Sequence, residues 1–445
     1  MNKGTARQRL FIVALLVSVS FLSVVFGMVA YQLKLWPFPI FRDAYQATKA
    51  WREKLTTRSR YDDTNLFIKV RHTNSGGILR YNKEKAYSGF TLFTSVHAQK
   101  ALLISMEGQI VHEWHIPFSS IWKNPPHIRF PVSEDFIYWG KAYLYPNGDL
   151  IVTIKGLGDT PWGYGLVKMD KDSRIIWKYA EHVHHDVNVG SDGKIYTLIH
   201  GFTTEKMPGI KLEPPFLDDS IVVLSADGHE LKRLSLSKAF RNSDFSNVLN
   251  VLGDIREQWD PWHTNNVDIL DESMANQFPF LEKGQVLLSI RNIDTIAVVD
   301  MDKERVVWAI TGPWHRQHDP DFLSNGNMLI FDNRGHYGKG GKSRIIEFDP
   351  MTMEITWQYV GNEQGIFSSV VKGAQQRLPN GNTLITESLQ GRIFEVTREK
   401  EIVWEFSSPF RAAHDNQLVA NVWWGQRFHP DSLTFEFSNL NQNAP

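Results

Sequence analysis

The 445-residue chain contains no cysteine. That excludes a disulfide framework, a thiol nucleophile and a thiolate-ligated zinc, and leaves histidine, lysine and carboxylates as the reactive groups. Net charge is almost lacking too, at -1 with histidine neutral, so no basic field supports a nucleic-acid partner. What the chain does have is 42% hydrophobic residues, 22% charged residues and fifteen tryptophans. A sequence of this length and composition buries a large core and is not disordered.

Charge is also missing locally. The stretch from Leu10 to Leu33, LFIVALLVSVSFLSVVFGMVAYQL, carries none and is long enough to cross a bilayer as a helix. Lys3, Arg7 and Arg9 precede it without an acidic residue, so the positive-inside tendency predicts a cytoplasmic tail and a translocated remainder, against the weaker pull of Lys34 and Arg42. The rival is a cleavable signal peptide, but a small-x-small cleavage site is lacking around Gly27 to Ala30. The expectation is a single-pass anchor in the cytoplasmic membrane with the main domain in the periplasm. From Phe41 to Arg58, Phe41, Tyr45, Trp51 and Leu55 recur at near-helical spacing, which predicts a short helical collar. The predicted organisation is residues 1–35 for tail and anchor, 36–64 for the collar and 65–445 for the main domain.

The main domain repeats itself. YPNGDLIVTIKG, GSDGKIYTLIHG, EKGQVLLSIRN, LSNGNMLIFDN and LPNGNTLITES are one pattern, a tight turn followed by a strand, with Gly148, Gly193, Gly284, Gly326 and Gly381 supplying the turn. Each is followed by a second hairpin, and a sixth copy opens at Gly89. Four strands per unit, 42 to 55 residues between most turn glycines and six units predict an all-β fold, a six-bladed β-propeller with four-stranded blades. Trp114, Trp177, Trp308, Trp357 and Trp404 fall at one place in the last strand of five blades, with Leu234 in the other, and are expected to pack between blades. The extra SKAFRNSDFSNVLNVLGDIREQWD between blades three and four is expected to be partly helical. Residues 410–445 lack the blade pattern, and ring closure is their expected role.

In a propeller the first strand of each blade lines the channel, so register becomes position. Seven residues before the turn Asn or Asp stand His185 and His318, but Gly140 and Gly373 in two other blades; His263 holds the corresponding place in PWHTNNVDIL. Seven residues after the turn glycine stand Lys155, His200, Arg291, Asn333 and Ser388. The shared register predicts a basic, polar pocket at one channel mouth. Asp186 and Asp319, next to their histidines, are expected by alternation to turn away from the channel toward neighbouring blades. Imidazoles with a guanidinium suit an anionic substrate. A metal is not expected in that pocket, because Arg291 would oppose a cation there.

With GFTLF…ALLISMEGQIVHEW, HHDVNVGSDG, WHTNNVDIL…LLSIRN and QHDPDFLSNGNMLIFDNR in order, the chain resembles the bacterial arylsulfotransferase family from about Gly89 to Pro409. The resemblance implies cofactor-free, nucleotide-independent transfer of a sulfuryl group from an aryl sulfate donor to a phenolic acceptor. It makes His318 the nucleophile that becomes a sulfohistidine, with His263 and Arg291 on the sulfuryl oxygens. It makes the HHD histidine, His185 by register with His184 open, the group that holds sulfate or protonates the leaving phenolate. Asn333, His200 and Lys155 are expected as further binding groups; Trp262, Trp314 and Phe331 lie beside the site residues, where packing is their expected use and stacking on an aryl ring the alternative. Two other classes stand beside this one: a membrane-tethered propeller that binds an envelope partner or polysaccharide without chemistry, and a metal-dependent hydrolase.

Overall fold

The computed structural model describes residues 3–33, 35–36, 66–71, 76–204, 206–255, 257–363, 365–412 and 415–438. The chain divides into two units, Met1–Asp63 and Thr64–Pro445. In the first, an α-helix runs from Lys3–Leu33. Its segment Leu10–Ala30 is long and apolar enough to cross a membrane, a character that membrane spans share with signal sequences. The predicted collar from Phe41 to Arg58 lies outside the described residues.

The second unit is a β-propeller. Each repeat turn places its glycine at positive φ, for instance 87° at Gly148 and 86° at Gly326, a conformation that costs glycine nothing and other residues a Cβ clash. The glycine N–H closes the turn, as from Gly148 to the Tyr145 carbonyl at 3.0 Å. Apolar runs then pair as antiparallel meanders. Five sheets follow the chain in order, beginning at Ile137–Leu144, Val183–Val189, Thr264–Ile269, His318–Phe322 and Ala374–Arg377. The sixth takes its first strand from the C-terminal segment Val422–Phe428, which pairs with Phe90–Ser95. These six first strands touch one another in sequence around a closed circuit.

The closing strand accounts for the missing quarter of the first repeat and for the absence of a blade pattern beyond residue 410: those residues complete a sheet begun more than 300 positions earlier. Gly77–Tyr81 adds an outer strand to blade six, and Phe67–Lys69, Arg411–Ala412 and Asp415–Ala420 form a small sheet of their own.

The repeated tryptophans fasten neighbouring blades. Trp114 donates its indole N–H to the Gly148 carbonyl at 3.0 Å, Trp177 to Ala226 at 3.0 Å, Trp357 to Arg398 at 2.8 Å and Trp404 to Met106 at 2.9 Å. Each acceptor belongs to a turn of the following blade, so one side chain supplies both apolar bulk and a satisfied polar tip. The extra segment after blade three contains helices Leu236–Arg241 and Val248–Val251, as expected. Phe240 from the first stacks on Trp262 with ring centroids 5.3 Å apart.

Because Trp404 is fully buried and joins blade six to blade one, Trp404→Ala is expected to cost about 3–5 kcal/mol. Denaturant unfolding of the full chain measures this; a loss no larger than that of an exposed substitution such as Ile355→Ala would contradict the ring-fastening role.

Candidate active site

At one end of the ring lies a cavity of about 310 Å³ lined by His185, His263, Arg291 and His318, with Lys141, Lys372, Trp162 and Trp423 among the other walls. The four residues expected to carry chemistry are therefore brought together from blades three, four and five. Local backbone explains how. The first strands of blades three, four and five carry register shifts at His184/Val187, Thr264/Asn266 and His318/Asp321, and those of blades two and one do so at Trp139/Ala142 and Val422/Trp424. Such bulges re-aim side chains. His185, His263 and Asp319 accordingly sit at φ near +50°, a conformation that costs about 1–3 kcal/mol outside glycine and concentrates at functional sites.

The bulges correct one expectation. Asp186 and Asp319 do reach the neighbouring blades, accepting from the Val267 N–H at 2.9 Å and the Gln375 N–H at 3.0 Å, but they also line the cavity. There Lys141 Nζ lies 2.8 Å from Asp186 and 3.8 Å from Asp319. Burial works against the Lys141 charge and the two carboxylates overcome it, holding its pKa above the ordinary value. Lys141 follows Gly140 in the same register in which Asp186 and Asp319 follow their histidines, a signal present in the repeat.

His318 is buried. Its Nδ1 faces two acceptors, Asn333 Oδ1 at 2.7 Å and the Arg316 carbonyl at 3.1 Å, so Nδ1 carries the proton and Nε2 keeps the lone pair. The amide of Asn333 is itself oriented, its Nδ2 donating to the carbonyls of Ser369 at 2.5 Å and Lys372 at 2.8 Å. Burial, reinforced by Arg291, pushes the His318 pKa down to about 3. The ring is neutral, with a fixed tautomer.

Arg291 donates to Asn292 Oδ1 at 2.9 Å and, among the described residues, forms no ion pair, whereas its neighbour Arg316 is held by Glu257 at 3.0 Å. Burial and the Arg316 charge bring the Arg291 pKa down to about 10, which leaves a charged guanidinium facing the cavity. His263 bonds through Nδ1 to Asp260, and burial lowers its pKa against the pull of that carboxylate. Its strand is anchored by Trp262, fully buried, whose indole donates to Asp218 at 2.9 Å. Lys372, pushed down to about 8 by burial, lies 4.7 Å from the centre of the Trp423 ring.

His184, His200, Lys155 and Asn333 do not line the cavity; all four are buried behind it. Lys155, His200 and Asn333 share the second-strand register of Arg291, but of these four only Arg291 reaches the cavity. Asn333 serves by holding His318. Lys155 packs under Trp423, its Nζ 3.7 Å from the ring centre. Within the HHD pair, His185 is the cavity residue, and His184 points between strands and bonds to it, Nδ1 to Nδ1, at 2.8 Å.

Trp262, Trp314 and Phe331 are buried in packing and do not reach the cavity. The aromatic walls are instead Trp162, with its ring centroid 5.5 Å from that of His263, and Trp423, 6.3 Å from His185. Trp162 comes from the loop after the second strand of blade two, outside any repeat position, and Trp423 from the closing strand that the repeat did not reveal. The two glycines of the register are required by close packing behind the cavity. A Cβ on Gly140 would meet Thr153 Oγ1 at 2.4 Å, and one on Gly373 the Phe331 ring at 2.5 Å.

A pKa lowered on folding contributes stability that is complete above the unfolded value, about 6.5 for histidine, and is lost as pH falls toward the folded value. For His318 that window runs from about 6.5 down to about 3. The melting-temperature gap between the natural chain and His318→Gln is therefore expected to be wider near pH ~8 than near pH ~5; an equal gap would show that His318 titrates normally.

No curated protein matches the chain. Among solved structures, a Bacteroides caccae protein of unknown function is 12% identical with a TM-score of 0.47, covering 72% of this chain and 94% of that one. A streptogramin B lyase is 13% identical, with a TM-score of 0.40 and coverages of 79% and 87%. The WD40 β-propeller domain of Doa1 is 10% identical, with a TM-score of 0.34 and coverages of 77% and 96%. The sequence profile of the arylsulfotransferase (ASST) family matches residues 141–409, more than half of the chain, and the protein belongs to that family.

Proposed function

We propose that this chain moves a sulfuryl group from an aryl sulfate ester to a phenolic or other hydroxyl acceptor in two displacements through a sulfohistidine on His318. The observation that carries the reading is the pairing, in one cavity, of an oriented, neutral imidazole with a guanidinium that forms no ion pair among the described residues: His318 with Nδ1 engaged by Asn333, and Arg291 lining the same cavity.

In the first displacement His318 Nε2 attacks sulfur, the S–O bond to the aryl group breaks, and the bond pair leaves with the phenolate. Arg291 and His263 hold the sulfuryl oxygens, whose charge rises as the group flattens toward an SO₃-like arrangement. A phenolate whose conjugate acid has a pKa of about 10 leaves faster when protonated. Burial, reinforced by Lys155, holds the His185 pKa well below the ordinary value, so its neutral ring is placed to donate a hydrogen bond to the departing phenolate, which takes its proton from water, and in the second displacement to take the proton of the acceptor hydroxyl as that oxygen attacks the sulfohistidine. Trp162 and Trp423 offer faces for the aryl ring, and a cavity of about 310 Å³ suits one small aromatic ester. The N-terminal helix acts as an uncleaved anchor, with Lys3, Arg7 and Arg9 keeping its start in the cytoplasm and the propeller on the periplasmic side.

Incubating the full chain with p-nitrophenyl sulfate alone is expected to add the mass of one sulfuryl group to His318, and a phenol added afterwards is expected to discharge it. His318→Ala is expected to abolish both adduct and transfer, and full-rate transfer by that variant would overturn the assignment. Arg291→Ala is expected to lower kcat by about 10²–10³, as for the loss of one oxyanion donor; a change confined to KM would reassign Arg291 to ground-state binding.

A further inference from the structure

Behind the cavity wall, blade three gathers three polar side chains that the transfer chemistry leaves unused. His184 stands on the first strand, His200 on the second and Asp219 on the third, with His200 and Asp219 directly paired across strands. All three are buried, with exposures of 0%, 2% and 0%. One ligand atom from each lies within 4.8 Å of the other two. His184 Nε2, His200 Nδ1 and Asp219 Oδ1 have no hydrogen-bond partner among the described residues, and a buried polar atom left unpaired is costly. From this convergence we infer that His184, His200 and Asp219 form a binding site for a divalent transition-metal ion of the zinc class.

The spacing decides between a proton and a metal. His184 Nε2 lies 3.6 Å from Asp219 Oδ1, beyond hydrogen-bond reach, so a proton shared by the pair would satisfy neither atom. Two ligands each about 2.0–2.2 Å from a tetrahedral zinc ion stand about 3.4 Å apart, close to the distance found. Two imidazoles and one carboxylate suit zinc and its first-row neighbours rather than calcium or magnesium, and three protein ligands leave one position for water.

The remaining polar atoms are placed as support. Asp219 Oδ2 accepts from the Thr264 N–H at 2.8 Å, and His184 Nδ1 lies 2.8 Å from His185 Nδ1. The Gly163 N–H, 3.4 Å from His200 Nε2, is a donor at the outer edge of hydrogen-bond range, and it gives way when coordination through Nδ1 leaves the proton on Nε2. A cation on His184 Nε2 leaves the ring proton on Nδ1, which then donates to His185 Nδ1. That sets the His185 tautomer with its proton on Nε2. The ion would sit behind the cavity wall and orient His185, while Arg291 keeps the cavity itself anionic in preference. The inference stands apart from the sulfuryl-transfer reading, because metal binding is measured without turnover.

The test uses untagged full-length protein in detergent, loaded with zinc and dialysed against metal-free buffer, with metal content read by mass spectrometry. One zinc per chain is expected in the natural protein and in His318→Ala. Asp219→Asn and His200→Gln are expected to bind zinc at least about tenfold more weakly. No retained zinc in the natural protein, or undiminished binding in both variants, would overturn the inference. Should the variants fail to fold, cobalt titration of the natural chain decides: d–d absorption bands of a four-coordinate nitrogen and oxygen site support it, and a six-coordinate aquo spectrum overturns it.

Discussion

The site depends on one backbone device, the bulge near the start of the channel-lining strands. An unbroken strand presents alternate residues to the channel, and His185 and Asp186 would then face opposite ways. The extra residue in each bulge breaks that alternation where the strands converge. Histidine and aspartate can then both reach the cavity while the aspartate also caps a backbone N–H of the next blade. The left-handed backbone at His185, His263 and Asp319 is the strain this arrangement requires. Cross-blade hydrogen bonds and tryptophan fasteners hold it in place.

Electrostatics divide the cavity into two zones. Toward Arg291 and His318 the walls are cationic or neutral, with the carboxylate of Asp260 spent on His263. Toward Lys141 the carboxylates of Asp186 and Asp319 are matched by a buried ammonium. Burial raises the pKa of Asp319 to about 6 despite the pull of Lys141, so the charge of this second zone is only partly fixed. The Arg291 guanidinium attracts an anionic group, and the carboxylates of Asp186 and Asp319 repel one.

Much of the fold was legible because propellers write their structure as repetition. Turn glycines, alternating runs and recurrent tryptophans each carried one local rule, and their agreement identified the blades. The closing strand was not legible as a blade strand, since Val422–Phe428 pairs with residues more than 300 positions away and sits beside no repeat turn. The wall residue Trp423 was hidden with it. His185, His263, His318 and Arg291 were legible because a shared register converts to a shared height on the channel. His200 and Lys155 share the second-strand register of Arg291 yet are buried outside the cavity that Arg291 lines, a distinction that counting along one strand does not make.

The amino-acid sequence alone determined the blade repeat, the apolar N-terminal helix, the exclusion of cysteine chemistry and the four residues that meet in the cavity, because these follow from local periodicity, turn chemistry and composition. Tertiary structure alone decided which of His184 and His185 faces the cavity, that Asn333 orients His318, that Asp186 and Asp319 meet Lys141, and that His184, His200 and Asp219 converge. Each of those depends on bulges and on contacts between strands far apart in the chain, where side-chain direction is set by packing and no longer by position in a repeat.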